Sequence, residues 1–323
     1  MNGPIVVGFD GSPESVTATG WAAREALIRG LPLELVEAWP WPKTDVLGTD
    51  DAIAWSRQRL SAKEAELRAV LASGAAVTSA HVPEDAAEAL EAAGRGATML
   101  VLGSRGLGTL RGFLVGSVSQ EVLRRATCPV VLVRAEGAAP TADGGTAGGP
   151  AADGPAADGT TADGTTPVAP AAGGPAQDAA AEGDVVLALD LRHACDEVIG
   201  FAFEAARLRS VPLRVVHAWM PPTGSEYMAF AAIGSIDEEL SAVERSQLTD
   251  ALSPWRSRYP RVAVDAELVH GHAAAAVVDA ADGAGLVVVG RRVRRAPLGA
   301  HLGPVAHATI HHVRCPVAVV SYD

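Results

Sequence analysis

Short, almost unbroken aliphatic runs alternate along the chain with Ala-rich stretches whose apolar residues recur at three- and four-residue intervals. Ile5-Val6-Val7, Met99 to Leu102 and Val130 to Val133 lack the polar alternation of a sheet with one wet face, and Leu33 to Val36 is broken only by Glu34. Such runs suit strands covered on both sides, as in a parallel sheet. The pattern predicts strands near 4–9, 33–38, 76–81, 98–103 and 129–134, with helices near 13–29, 51–72, 84–94 and 117–126. Ser12 before Pro13 reads as an N-cap with proline at the first helical position.

The same series then repeats. Ile5 to Asp10 aligns with Val185 to Asp190, and Pro32 to Trp39 with Pro212 to Trp219. Met99 to Gly103 aligns with Leu286 to Gly290, and Cys128 to Val133 with Cys315 to Val320. Helices of the second copy are expected near 195–209, 236–257, 273–282 and 304–312. Each copy reads as β-α-β-α-β-α-β-α-β, so the fold class is α/β: two tandem, doubly wound, open domains. Ligands of such sheets sit beyond the carboxyl ends of the strands.

Composition sets the boundaries. Residues 137–183 are almost all Ala, Gly, Pro, Asp and Thr, with variants of Thr-Ala-Asp-Gly recurring. A segment without aromatics and with one large aliphatic, Val168, cannot offset its ordering entropy, so it is expected to be a disordered tether. It leaves domains at 1–136 and 184–323. The chain has 323 residues and a formal charge of −12, and half of that charge belongs to the tether, which has six acids and no base. Each flanking copy has 13 basic and 16 acidic residues, so neither offers the basic face that a nucleic-acid polymer needs. No apolar run reaches 18 residues, so no membrane partner is expected. The N-terminus lacks the basic region of a secretory leader, and three scattered cysteines make no disulfide framework. A cytoplasmic location follows as an expectation.

The richest chemistry follows the fourth strand: Gly103-Ser104-Arg105-Gly106, nine residues, then Gly116-Ser117-Val118-Ser119. Glycines admit positive φ and close backbone approach, and a helix start presents unpaired N–H groups and a positive dipole end. Ser117 and Ser119 add hydroxyls, and Arg105 and Arg111 add charge. A phosphate chain is the natural guest. No Gly-Lys-Ser/Thr follows, so this is not a Walker A loop. The dinucleotide fingerprint is excluded too, because the first strand ends in Asp10-Gly11-Ser12.

These residues give the first copy a resemblance to the universal stress protein family. Gly103, Gly106, Gly116 and Ser117 match that family's G-x2-G-x9-G-(S/T) motif, and Val7 to Ser12 and Thr127 to Val131 are typical of it. The resemblance extends over both copies. It implies a five-stranded, Rossmann-like parallel sheet of order 3-2-1-4-5 and a cytoplasmic protein of an ATP-binding subgroup. It implies that Asp10, flanked by Gly11 and Ser12, and Ala38 lie by the adenosine. The loop from Gly103 to Ser119 then wraps the triphosphate with Mg²⁺ or Mn²⁺. It also implies an intrachain pseudo-dimer through the last strands, with a homodimer allowed by the long tether. The function expected is a sensor or regulator in stress or dormancy, read by a regulatory protein, and not a metabolic enzyme.

The second copy departs from the motif. Gly290 and Gly303 remain, but the second glycine is Val293 and the serines have become Pro304 and Ala306. Valine resists positive φ and proline removes an N–H, so a weaker anion site at Asp190, Gly290, Arg291 and Gly303 is expected. Two rival functions are a slow ATP-hydrolysing enzyme and a nucleotide-free interaction scaffold. Hydrolysis needs a general base, and Ser104, Arg105, Thr109 and Arg111 supply none. His307, His311 and His312 lack completing ligands for a metal. Cys128 and Cys315 read as small core hydrophobes, while Cys195 sits where a helix N-terminus can lower a thiol pKa. Trp39 and Trp219 either line a pocket or partner surface or cap strand ends. No catalytic residues are assigned.

Overall fold

The computed structural model describes residues 3–39, 49–72, 74–104, 116–135, 183–193, 195–220, 233–293 and 302–323. The predicted tether lies outside them except for Gly183. The first half runs β1 (Ile5–Gly8), α1 (Pro13–Arg29), β2 (Leu33–Ala38), α2 (Thr49–Leu71), β3 (Val77–Val82), α3 (Ala86–Gly94), β4 (Met99–Ser104), α4 (Ser117–Arg125) and β5 (Val130–Arg134). The second runs β6 (Val185–Ala188), α5 (Asp196–Arg209), β7 (Leu213–Trp219), α6 (Ile233–Arg258), β8 (Val264–His270), α7 (Ala273–Ala280), β9 (Leu286–Arg292), α8 (Pro304–His312) and β10 (Val317–Tyr322).

Local chemistry sets the helix ends. The Ser12 side chain accepts from the Ser15 N–H at 3.2 Å and Pro13 follows, as the sequence predicts. Gly30 closes α1 in the left-handed region at φ 64°. Along α1, Ala18, Ala22 and Ala26 are fully buried, and their small side chains let the helix lie close on the sheet.

The ten described strands form one sheet in the order β3-β2-β1-β4-β5-β10-β9-β6-β7-β8. Within each half all pairings are parallel and the order is 3-2-1-4-5, as expected. The halves join through their last strands: β5 and β10 pair antiparallel, with Val131 opposite Ala318. One apolar layer, on the side of α1, α2, α5 and α6, is continuous across that seam; it includes Val131 and Val133 of one half and Ala318 and Val320 of the other. A second layer, with α3, α4, α7 and α8, covers the opposite face.

Buried charge gathers at the seam. Glu25 of α1 is 2% exposed and accepts from Arg29 at 2.5 Å and from Arg209 of α5. Arg29 stands 5.6 Å over the Phe201 ring, and Arg209 stands 5.8 Å over Trp21. Each guanidinium therefore covers an aromatic of the other half, an arrangement that offsets part of its desolvation.

The cysteines serve packing. Burial pushes the Cys128 and Cys315 thiols up to about 11, in line with their reading as core hydrophobes. The reactive reading of Cys195 is corrected. It is the N-cap of α5, yet burial, with the Glu197 and Asp196 carboxylates, raises it to about 11. At pH 8 the three native thiols should react with a disulfide reagent at least about tenfold more slowly than after unfolding in urea. Fast reaction at Cys195 in the native protein would contradict this. Phe203, fully buried and 6.0 Å from the Trp255 ring and 5.6 Å from Tyr259, anchors the second half. Phe203→Ala should lower stability by about 3–5 kcal/mol, measured by urea unfolding.

Candidate functional site

The turn after β1 places Asp10 at the carboxyl end of the sheet. Both the N–H and the hydroxyl of Ser12 donate to Asp10 Oδ1, at 2.9 and 2.5 Å. Burial pushes the Asp10 carboxyl up, but the hydrogen bonds from Ser12 and Ser15 outweigh it, and the net shift is below 3.8. Asp10 is thus an exposed, fixed anion at neutral pH. Gly11 has φ 77°, a left-handed conformation that favours glycine.

The end of β4 stands against the start of α1. A Cβ on Gly103 would fall 2.5 Å from the Glu14 carbonyl carbon, so only glycine lets these backbones meet. Because β4 runs parallel to β1 and α4 follows it, the N-terminus of α4 starts from the same end of the sheet as the Asp10 turn. Gly116 is the N-cap of α4; no side chain caps it, and no acid lies in its first turn. A Cβ on Gly116 would meet nothing within 4 Å. Among the described residues, nothing fills the space before this helix N-terminus, whose dipole favours an anionic group. Ser117 and Val118 are exposed there and Ser119 is buried, while Ser104 is buried with its hydroxyl 3.5 Å from the Val133 carbonyl. Ala38 is half-buried at the end of β2. Arg105 and Gly106 lie outside the described residues.

One feature of this end is absent from the sequence-based reading. Glu37 is buried at the end of β2 and pairs with Arg59 of α2. The Arg59 guanidinium lies on Gly11 and stands 4.6 Å over Trp55 and 5.7 Å over Phe9. It roofs the gap between the first and second strand ends. A carboxylate at Glu37, directly after Leu35 and Val36 in a strand covered on both faces, was the available signal, since a buried charge needs a partner.

The second half diverges at each point. Its counterpart of Glu37 is His217, buried and 3.3 Å from Glu244 of α6. Asp190 has both oxygens engaged by its own turn: Oδ1 by the Arg192 N–H at 3.1 Å, Oδ2 by His193 at 3.1 Å. His193 in turn meets Arg292 at 3.1 Å. Burial raises Asp190, but His193 and Arg192 outweigh this, and its pKa also falls below 3.8. A Cβ on Gly290 would meet the Tyr322 ring at 2.9 Å, so this glycine serves packing. Gly303 is the exposed N-cap of α8, followed by Pro304. Arg291 does not face this site: it is 3% exposed and donates to the Arg124 carbonyl of α4 at 3.0 Å. Arg294 and Arg295 lie outside the described residues.

The tryptophans differ in role. The Trp39 N–H donates to the Val82 carbonyl at 2.9 Å, prolonging the pairing of β2 and β3. Trp219 meets His270 edge-on at 5.4 Å and lines an open cavity of about 440 Å³ with Glu238, Ser241 and Arg245. The His307 and His311 rings are 4.4 Å apart; burial and the charges of His311 and His312 lower the His307 pKa below 6.5. Among the described residues, no three His, Cys, Asp or Glu side chains are grouped as a metal site, and no helix is long and apolar enough to cross a membrane.

Comparison with known proteins agrees with this architecture. The universal stress protein family model matches residues 1–134 and 183–321. The universal stress protein Rv2623 of Mycobacterium tuberculosis H37Rv is 29% identical, with 98% of this chain and 95% of its own length covered. Universal stress protein Rv2005c of the same strain is 30% identical, with 98% and 96% covered. The crystal structure of a universal stress protein from Archaeoglobus fulgidus shares the fold, with a TM-score of 0.61, 15% identity and 99% of each chain covered. Two copies of one doubly wound unit, matched by one family over nearly their whole length, leave a single conclusion: this chain belongs to the universal stress protein family.

Proposed function

We propose that this protein is an ATP-binding sensor or regulator, acting in stress or dormancy, whose first domain (1–136) holds one nucleotide per chain. The observation that carries this is the N-terminus of α4, with no side-chain cap, at the same carboxyl end of the sheet as the fixed Asp10 carboxylate, within a complete G-x2-G-x9-G-S sequence. In this reading Asp10, Gly11, Ser12 and Ala38 take the adenosine. Gly103, Ser104, Arg105, Gly106, Gly116, Ser117, Val118 and Ser119 take the phosphates, with Mg²⁺ or Mn²⁺ as counter-charge. The residues bind and orient; none among them is a general base at the phosphate end, so the reading is a binding protein and not a hydrolase. Occupancy is read by another protein or by a second copy of the chain, and 137–183 acts as the tether.

The second domain (184–323) is proposed not to hold nucleotide. Asp190 is engaged by His193 and Arg192, Gly290 is closed in by Tyr322, and Arg291 is buried elsewhere. Titration calorimetry on the full chain should give one ATP per chain; a stoichiometry of two defeats the asymmetry. Mass spectrometry of nucleotide released from purified protein should find ATP, whereas ADP alone favours the hydrolase and no nucleotide the scaffold. Gly106→Glu places a carboxylate among the phosphates and should weaken ATP at least about a hundredfold, more than 2.7 kcal/mol by affinity arithmetic. Retained affinity moves the site elsewhere.

A further inference from the structure

The helix that carries the phosphate-binding end of the first domain is held at its other end by the second domain. Arg291 of β9 is almost fully buried, and its guanidinium reaches across the seam to the carboxyl end of α4. Nη1 donates to the Arg124 carbonyl at 3.0 Å, and Nη2 donates to the Ala126 carbonyl and to Ser321 Oγ, the latter at 2.5 Å. Ser321 Oγ donates to the same Ala126 carbonyl at 3.0 Å. The last carbonyls of a helix lack intrahelical partners. Here they are satisfied by a cation and a hydroxyl from the other domain.

We infer that Arg291, with Ser321, is a positioning clamp for the nucleotide site of the first domain, acting through α4. The inference rests on the ATP-binding reading. A helix of nine residues is about 14 Å long and moves as a rod, so fixing Arg124 and Ala126 fixes where the Gly116, Ser117 and Ser119 end points. A cation at the carboxyl end also complements the dipole whose amino end meets the phosphates. Arg291 thus contributes to a site it never touches. The second domain, with its own loop degenerate, has its counterpart of Ser104 recruited to the first domain's helix.

The seam supplies an internal control. Arg134 of β5, the counterpart of Ser321, makes a contact in the opposite direction, donating to the Ile310 carbonyl near the carboxyl end of α8 at 2.5 Å. It too is a buried arginine crossing the same seam, but it braces the helix of the degenerate site.

The test uses full-length Arg291→Met, Arg134→Met, Ser321→Ala and Arg291→Lys, titrated with ATP and with adenosine. Arg291→Met should weaken ATP about fivefold or more and leave adenosine within about twofold, because only the phosphate end is displaced. Arg134→Met should lose thermal stability yet keep ATP affinity. Ser321→Ala should shift ATP in the same direction by less, and Arg291→Lys should recover part of the affinity; these two serve if Arg291→Met does not fold. Unchanged ATP affinity in Arg291→Met, an equal loss for adenosine, or an equal ATP loss in Arg134→Met overturns the clamp. A wild-type chain that binds no ATP defeats the nucleotide reading instead. Amide exchange then still decides the clamp: residues 117–126 should exchange about tenfold faster in Arg291→Met, and unchanged exchange overturns it.

Discussion

The antiparallel pairing of β5 with β10 is the constraint from which the rest of the structure follows. Every residue of β5 is buried, Val130 to Val133 among them, and an aliphatic strand of that kind cannot stand at a sheet edge without recruiting another strand. Joining the two last strands removes both edges and makes one apolar layer of two. It also buries groups that would otherwise be wet. The carboxyl ends of α4 and α8 come to lie under the seam, and an unsatisfied buried carbonyl costs about 1–3 kcal/mol. Arg291, Ser321 and Arg134 answer that requirement. The polar residues at the seam are therefore consequences of strand pairing and not ornaments on it.

Duplication preserved what packing needs and let the rest drift. Gly103 and Gly290 both remain, yet each is kept by a close approach: the Glu14 backbone in one case, the Tyr322 ring in the other. Retained glycine is thus weak evidence for a retained ligand. The buried polar position at the strand end was also kept, though its residue type changed. Glu37 with Arg59 in one copy stands where His217 with Glu244 stands in the other. Asp10 and Asp190 show the same divergence, one braced by a serine on a single oxygen, the other engaged on both.

Much of the fold was legible because local signals agreed with the global one. Helix α1 falls at the predicted 13–29 because Ser12, Pro13 and Gly30 mark its ends. Helix α2 starts two residues before its predicted position, where Thr49, Asp50 and Asp51 offer competing start signals. The strand order came from family resemblance, since aliphatic runs do not number their neighbours. Arg291 was misread for a physical reason. Beside a glycine loop a cation reads as an anion ligand, and only the seam shows that its partners stand 165 and 167 residues away in the chain. Cys195 failed similarly: the helix start argued for a low pKa, and burial beside two carboxylates outweighed it.

The seam also joins helices of the two halves. Registering α1 on α5 sets Arg29 against Arg209 and Trp21 against Phe201, but Glu25 against Ala205. In the observed pair one buried carboxylate serves both arginines. Glu204 of α5 also reaches Arg29 across the seam, at 3.6 Å, so carboxylates of both halves answer these arginines. Losing one partner of such a buried ion pair costs about 3–5 kcal/mol, a large share of a domain's stability, so Glu25 ties α1 of one half to α5 of the other.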